Sequence, residues 1–193
     1  MLNLRKIFEM KKRLYEFIFY KMLGWKLISS IDPSLKKCIV IVIPHTSNLD
    51  FFIALLVRGI MNVKINFVGK KELFVFPFGY YFKAVGGAPL DRSGNKNNVD
   101  ATAEIFEKYE TFRLALSPEG TRKKVDELRT GFYYIALKAN VPIVPVAFDF
   151  GKKEVKIGDP FIVSGNYEED MKIILPFYKD VIGKNPERSF QVK

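Results

Sequence analysis

Four short apolar runs divide the chain, and stretches with helical periodicity separate them. The runs span residues 38–43, 63–68, 112–116 and 143–148, and each is five or six residues long. Short apolar runs rich in Ile, Val, Leu and Phe are typical of buried strands. Strands that alternate with helices predict an α/β fold with a central, mostly parallel sheet flanked by helices. A fifth strand, 154–157, is expected at a sheet edge.

The intervening segments predict four helices, of which the last contains a proline. Their expected ranges are 48–58, 97–109, 131–139 and 168–182, with Pro176 interrupting the last of them. The aromatic stretch 74–82, which contains Pro77 and Gly79, predicts short helical pieces. This stretch either lines a channel for an apolar ligand or packs as ordinary core.

Residues 1–28 differ in composition from the rest and predict an amphipathic helical segment. Leu, Phe, Met and Trp recur mostly at helical spacing, among seven basic residues and only two acidic ones. Two interpretations remain open, and both can hold at once. The helix either lies at an anionic membrane interface or packs on the core with a solvated basic face. Residues 29–193 are expected to form one domain.

The net charge of +10 indicates an anionic partner, which could be nucleic acid, an acidic lipid surface or a phosphorylated substrate. Cys38 is the single cysteine, so no internal disulfide can form, which fits a reducing compartment. One His and one Cys exclude a metal site rich in imidazole or thiolate ligands, and we expect no metal. No apolar run reaches the roughly 18 residues of a membrane span, and we predict no signal peptide.

His45, the only histidine, follows the first apolar run, and Asp50 comes five positions later. The two residues therefore flank a strand-to-helix turn. Imidazole takes a proton near neutral pH, and a carboxylate can fix its tautomer and stabilise the imidazolium. The pair can supply general-base catalysis. The alternative is a His that ends a strand and an Asp that caps a helix.

Two further strand-associated segments end in arginine. Residues 86–92 form a glycine-led segment that ends at Arg92, and the run 112–116 leads into the segment 117–122, which ends at Arg122. Ligands bind at the carboxyl ends of strands in parallel sheets, so both arginines could converge with His45 there. Two guanidinium groups suit a phosphate, which they can bind bidentately.

No pattern around the site indicates a covalent nucleophile. Ser47 and Ser117 lie outside a nucleophile-elbow pattern, and the chain has no glycine-rich nucleotide loop. The residues therefore favour direct attack by the deprotonated hydroxyl of a phosphorylated substrate.

Four blocks in order make the chain resemble the lysophosphatidate acyltransferase family over about residues 37–150. They are the His–Asp block 45–50, the glycine-led block 86–92, the Pro-Glu-Gly-Thr-Arg block within 117–122 and the two-proline strand 141–146. The resemblance implies that His45 is the base and Asp50 its partner. It assigns the substrate phosphate to Arg92, Glu119, Gly120, Thr121 and Arg122.

The resemblance also implies an activity and its partners. An acyl group would pass from an acyl thioester, on coenzyme A or acyl carrier protein, to the hydroxyl of a lysophospholipid. The expected acceptor is 1-acyl-glycerol-3-phosphate, the product is phosphatidic acid, and no acyl-enzyme or cofactor is involved. Residues 29–193 would be the acyltransferase domain. The protein would act as a peripheral (monotopic) enzyme at the cytoplasmic face of an anionic membrane, with no nucleic-acid partner.

Three departures from the family pattern leave the acceptor open. Pro44 stands where Asn is frequent, Ser117 where a large apolar residue is common, and Lys123 where Ser or Pro is frequent. One alternative is an acyltransferase of the same fold with an amino-lipid or glycolipid acceptor. Another is a non-enzymatic basic protein that binds nucleic acid or a membrane surface. For Glu119 the alternative role is a structural ion pair with an arginine.

Overall fold

A single mixed sheet organises the part of the chain that the structure describes. The computed structural model describes residues 4–70, 74–84, 86–90 and 98–192. Within these ranges seven strands pair in the order β1-β7-β6-β2-β5-β3-β4. All neighbours are parallel except β6 and β7. The strands are β1 (Lys26–Leu27), β2 (Lys37–Val42), β3 (Asn66–Lys70), β4 (Gly87–Leu90), β5 (Phe112–Leu116), β6 (Ile143–Asp149) and β7 (Glu154–Ile157). The expected mostly parallel α/β sheet is confirmed.

Helices cover both faces of the sheet. The α-helices are α1 (Leu4–Glu16), α2 (Leu49–Met61), α3 (Phe78–Ala84), α4 (Asn98–Lys108), α5 (Gly131–Ala139) and α6 (Tyr167–Ile174). A π-helical segment, Phe17–Met22, continues α1, and 3-10 turns span Leu175–Tyr178 and Pro186–Arg188. The buried residues of α4, α5 and α6 pack on one face, and those of α2 and the π-helical segment pack on the other.

Strand β2 lies inside the sheet and shows why its sequence is continuously apolar. Ile39 and Ile41 belong to the core cluster with α4, α5 and α6, whereas Cys38 and Val40 belong to the cluster with α2. Alternate side chains of a strand point to opposite faces, so a strand covered on both sides needs apolar residues at every position. Strand β2 is thus paired on both edges, with β5 and β6, and covered on both faces.

The structure differs from the predicted elements at the edges and at the C-terminal end of the chain. Strands β1 and β4, at opposite ends of the sheet, were not predicted, and the strand expected at 63–68 spans Asn66–Lys70. The helix expected at 168–182 ends at Ile174, and a 3-10 turn containing Pro176 follows it. Proline lacks an N–H and clashes with the preceding helical turn, which explains the early end.

The segment 1–28 combines exposed and buried apolar residues. Phe19 and Trp25 are buried in the α2 cluster, whereas Leu14 and Phe17 are more than half exposed. The end of the segment joins the sheet, since β1 pairs with β7. No helix among the described residues is long and apolar enough to cross a bilayer. The role of 1–28 as a membrane-interface unit stays a prediction.

Candidate active site

The turn between β2 and α2 carries the proposed base. Strand β2 ends at Val42 and α2 begins at Leu49, so His45 lies in the connecting turn and Asp50 in the first helical turn. The His45 side chain is 31% exposed, while that of Asp50 is only 2% exposed. The imidazole is therefore accessible to a reactant, and the carboxylate that holds it is shielded from water.

One oxygen of Asp50 organises the whole turn. Asp50 Oδ2 lies 2.9 Å from His45 Nδ1 and accepts the backbone N–H groups of Thr46 at 3.0 Å and Ser47 at 3.1 Å. An imidazole that donates from Nδ1 keeps Nε2 as the nitrogen that can accept a proton. The same carboxylate thus holds the turn that precedes α2 and orients the ring. No side chain caps the start of α2 among the described residues, so Asp50 does not act as a helix cap.

Glu119 supports the same turn from the neighbouring strand. Strands β2 and β5 are adjacent and parallel, so the segment after β5 meets the turn after β2. Glu119 is 2% exposed, and its Oε2 accepts the His45 backbone N–H at 2.6 Å and the Ser117 hydroxyl at 3.3 Å. Burial raises the pKa of Glu119, and the hydrogen bonds oppose that rise only in part. Among the contacts of the described residues, no arginine pairs with this carboxylate.

Arg122 contacts the turn at its end, where α2 starts. Its Nη1 donates to Asn48 Oδ1, next to the first residue of that helix. In the same segment, Thr121 Oγ1 accepts the backbone N–H of Lys123 at 3.3 Å, and the Gly120 N–H donates to Ser117 O at 3.0 Å. The structure therefore brings the guanidinium of Arg122 to the turn that carries His45.

Arg129 packs against Gly120, in the segment that ends at Arg122, and no sequence motif indicated it. Gly120 has φ +64°, and a Cβ there would lie 2.6 Å from Arg129 Nε, so only glycine allows this close approach. The Arg129 backbone N–H also donates to Pro118 O at 2.9 Å. Both residues line a cavity of about 270 Å³. Arg129 lies just before α5, at the end of the loop that follows β5. This position at the carboxyl end of a strand is the signal that could have identified Arg129.

Arg92 lies outside the described residues. The block 86–92 that contains it includes β4, which is separated from β2 by β5 and β3. The convergence of Arg92 with His45 and Arg122 therefore stays a prediction.

An apolar cavity of about 900 Å³ lies beside the turn. It reaches Leu49 and Phe52 in the first turns of α2, and its far wall includes Tyr15, Ile18 and Trp25. Several residues at its surface are substantially exposed: Leu23, Leu49, Phe52, Tyr81 and Ile182. The volume falls within the range of about 300–1,000 Å³ that is usual for small-molecule sites. We refer to it as the apolar cavity.

The aromatic stretch 74–82 contributes little to that cavity. Tyr81 lines it, whereas Phe76 and Tyr80 are 83% and 77% exposed. Phe82 packs edge-on against Phe67 and Phe74. The stretch therefore contains one residue that lines the cavity, others that are exposed, and others that pack against neighbouring rings.

Neither metal nor thiol chemistry finds support in the described part of the chain. No group of three or more His, Cys, Asp or Glu side chains there could hold a metal ion. Cys38 is fully buried in β2, and burial raises the pKa of its thiol to about 12, so it stays protonated and unreactive.

The fold and the site define an α/β protein in which a histidine held by a buried aspartate, an arginine at the same turn and an apolar cavity lie together. The model of the Acyltransferase family matches residues 26–149, and the chain therefore belongs to this family. Its curated relatives confirm the resemblance to lysophosphatidate acyltransferases.

Several curated relatives carry the name 1-acyl-sn-glycerol-3-phosphate acyltransferase. The Haemophilus influenzae protein is 25% identical over 86% of this chain and 76% of its own length. The Escherichia coli protein is 29% identical over 58% of this chain and 47% of its own. The human beta protein is 30% identical over 65% of this chain and 46% of its own length. The chain thus spans about half the length of the last two.

A solved structure confirms the fold. The crystal structure of the 1-acyl-sn-glycerophosphate acyltransferase from Thermotoga maritima aligns with a TM-score of 0.60, covering 90% of this chain and 78% of that one. Sequence identity in this alignment is 18%.

Proposed function

We propose that this protein transfers a fatty acyl group from an acyl thioester to the hydroxyl of 1-acyl-glycerol-3-phosphate, giving phosphatidic acid. The observation that carries the proposal is the partly exposed His45 ring, held by Asp50 at 2.9 Å, with Arg122 bound to Asn48 of the same turn. The names of the curated relatives support this acceptor.

The geometry supports a single-transfer mechanism. Asp50 holds the Nδ1–H of His45, and Nε2 takes the proton from the acceptor hydroxyl as its oxygen attacks the thioester carbonyl. The tetrahedral intermediate then collapses, the C–S bond breaks, and the imidazolium returns its proton to the leaving thiolate. General-base assistance of this kind is worth about 10²–10⁴ in rate.

Arg122 and Arg129 are the described cations that we assign to the acceptor phosphate, together with Thr121 and Arg92. Guanidinium groups bind phosphate oxygens bidentately and so fix the orientation of the attached glycerol. Orientation of the hydroxyl toward both the base and the thioester can contribute as much as the base does. In this proposal Glu119 and Gly120 shape the phosphate side of the site, because Glu119 holds the turn and Gly120 admits Arg129.

We assign the apolar cavity to an acyl chain. Its apolar exposed rim would let a chain enter directly from a bilayer, and α1 adds exposed Leu14 alongside the basic residues of the segment 1–28. A basic helix with an exposed apolar side suits an anionic lipid surface. We therefore place residues 1–28 at the interface and residues 29–193 above it as the acyltransferase domain. The single buried cysteine favours the cytoplasmic face.

An acyl-transfer assay with the purified full chain tests the proposal. Lysophosphatidate, a lysophosphatidylethanolamine and a lysoglycolipid would each be offered with acyl-coenzyme A and with acyl carrier protein thioester. We expect phosphatidic acid, detected by mass spectrometry, and its loss in a His45→Ala variant that unfolds as cooperatively as the wild type. Transfer only to the amino-lipid or glycolipid would overturn the acceptor assignment. Undiminished transfer by His45→Ala would remove His45 as the base.

A further inference from the structure

A loop near the C-terminus reaches back to the catalytic turn. Asn185 donates twice to one residue of that turn: its backbone N–H to Thr46 Oγ1 at 3.1 Å, and its side-chain Nδ2 to Thr46 O at 2.8 Å. Thr46 is only 2% exposed, so both hydrogen bonds are sheltered from water. The contact joins residues that lie 139 positions apart in the sequence.

The loop is itself fixed in place. Gly183 packs so closely on the turn that a Cβ there would lie 2.7 Å from Thr46 Oγ1. The Gly183 N–H donates to the buried Ser189 Oγ at 3.0 Å, and the Phe150 N–H donates to Ile182 O at 2.8 Å. Asn185 therefore presents its donors from a loop that is anchored to Phe150, the residue after β6, and is braced internally by the Gly183–Ser189 hydrogen bond.

Thr46 is the residue through which the loop can act on the base. It directly follows His45, and its own N–H is one of the three groups that converge on Asp50 Oδ2. The turn is thus held at Thr46 from two sides: Asp50 binds its N–H, and Asn185 binds its carbonyl and hydroxyl oxygens. A shift of Thr46 would move the attachment of His45 relative to Asp50.

We propose that Asn185 is a positioning residue for the His45 base, and that this loop completes the site from outside the matched family segment, 26–149. The proposal rests on the proposed acyl-transfer function. Gly183, Lys184 and Pro186 of the same loop line the apolar cavity. The same loop therefore lines the proposed acyl-chain site and supports the turn that carries the base.

The test compares Asn185→Ala with Asn166→Ala as the matched control. Asn166 lies in the same C-terminal region, where its side chain caps α6 by accepting the Glu169 N–H. We expect Asn185→Ala to lower kcat by about 10- to 100-fold with both KM values within about twofold, because misplacement of a catalytic group acts mainly on the chemical step. Asn166→Ala should lower thermal stability but leave kcat unchanged.

His45 is the only histidine, so the ring signals in a proton NMR spectrum of the untagged protein report on it alone. We expect these signals to shift or broaden in Asn185→Ala and to stay unchanged in Asn166→Ala. A merely structural Asn185 would lower stability in the same way as Asn166, with no effect on kcat or on the ring signals. That result would overturn the proposal.

Two further arms cover the remaining outcomes. If Asn185→Ala does not fold, Asn185→Asp keeps the size but places an acceptor opposite the Thr46 carbonyl, and it should show the same kcat loss. Amide hydrogen exchange of Asn185 in the wild type requires no variant, and rapid exchange there would overturn the proposal. A wild type that transfers no acyl group would overturn the proposed function alone, since the His45 signals still decide whether Asn185 positions the ring.

Discussion

The backbone N–H of His45 donates to Glu119 Oε2 at 2.6 Å, joining the ends of two adjacent strands across 74 positions of sequence. Because β2 and β5 pair in parallel, their C-terminal ends meet, and a carboxylate from one strand can hold the turn that follows the other. Glu119 Oε1 is also buried, with no hydrogen-bond partner among the described residues. The site thus contains a buried carboxylate that is only half satisfied.

This arrangement predicts a pH-dependent stability difference for Glu119→Gln. The pKa of Glu119 is raised above its usual 4.5, chiefly by burial, so its ionisation disfavours the native state relative to the unfolded chain. The stabilising effect of the neutral carboxyl is present below that usual value and is lost as pH rises through the raised pKa. Glutamine stays neutral and still accepts the His45 N–H. The difference in free energy of unfolding, variant minus wild type, is therefore expected to be larger at about pH 7.5 than at about pH 4. Urea denaturation at both pH values measures it, and an equal difference at both would contradict the prediction.

Asp50→Asn tests whether the charge of Asp50 is needed, because asparagine has nearly the same size and shape but no charge. The amide can accept the backbone N–H groups of Thr46 and Ser47 but does not stabilise an imidazolium, and it permits the wrong tautomer of His45. We expect kcat to fall by about 10²–10⁴ in a folded protein. Asp100→Asn is the control, since Asp100 forms a surface pair with Lys138. Steady-state kinetics of both variants measures the effect. A nearly unchanged kcat in Asp50→Asn would show that the carboxylate only holds the turn through Thr46 and Ser47.

Arg122→Gln and Arg129→Gln are expected to weaken use of the acceptor. A charge-assisted hydrogen bond contributes about 1.5–3 kcal/mol, which corresponds to a loss of about 13- to 160-fold in kcat/KM for the acceptor. The KM for the thioester should stay unchanged. Lys172→Gln removes the same charge from an exposed pair with Glu169 and serves as the control. A change confined to the thioester KM would reassign these arginines to the donor.

Leu56→Trp tests whether the apolar cavity holds an acyl chain. Leu56 lines this cavity, and a larger side chain there should exclude the end of a long chain. Each methylene that loses its burial costs about 0.8 kcal/mol, or about fourfold, so the preferred thioester should become shorter while the acceptor KM is retained. Competition between thioesters of different length measures this preference. Leu137→Trp, at an exposed position of α5, is the control. An unchanged chain-length profile in a folded Leu56→Trp variant would place the chain elsewhere.

The sequence predicted the centre of this molecule better than its edges. Strand β2 is covered on both faces, so its apolar run is unmistakable, and the turn that follows carries the only histidine. Strand β1 has two residues, too few to show any periodicity, and β4 contains glycine and proline. Both were missed because pairing with a neighbour, rather than local propensity, makes them strands.

The polar contacts that hold the His45 turn could be predicted from the sequence only in part. Asp50 was identifiable because it lies five positions from His45. Glu119 was identified by resemblance, but its hydrogen bond to the backbone of His45 depends on strand register. Asn185 lies in a loop with no motif, and its contact with Thr46 exists only because the chain folds back over 139 positions. Long-range polar contacts of this kind leave no periodic pattern.

The placement of β1 has a mechanical consequence. This strand joins the N-terminal helices to the sheet through β7, and β7 and β6 separate it from β2. Force applied to those helices along this route would reach the outer strands first. The same helices also pack directly on α2, where Tyr15 lies against Gly59, and α2 begins at the turn that carries His45. Movement of the N-terminal helices would therefore reach that turn through α2 rather than through the sheet.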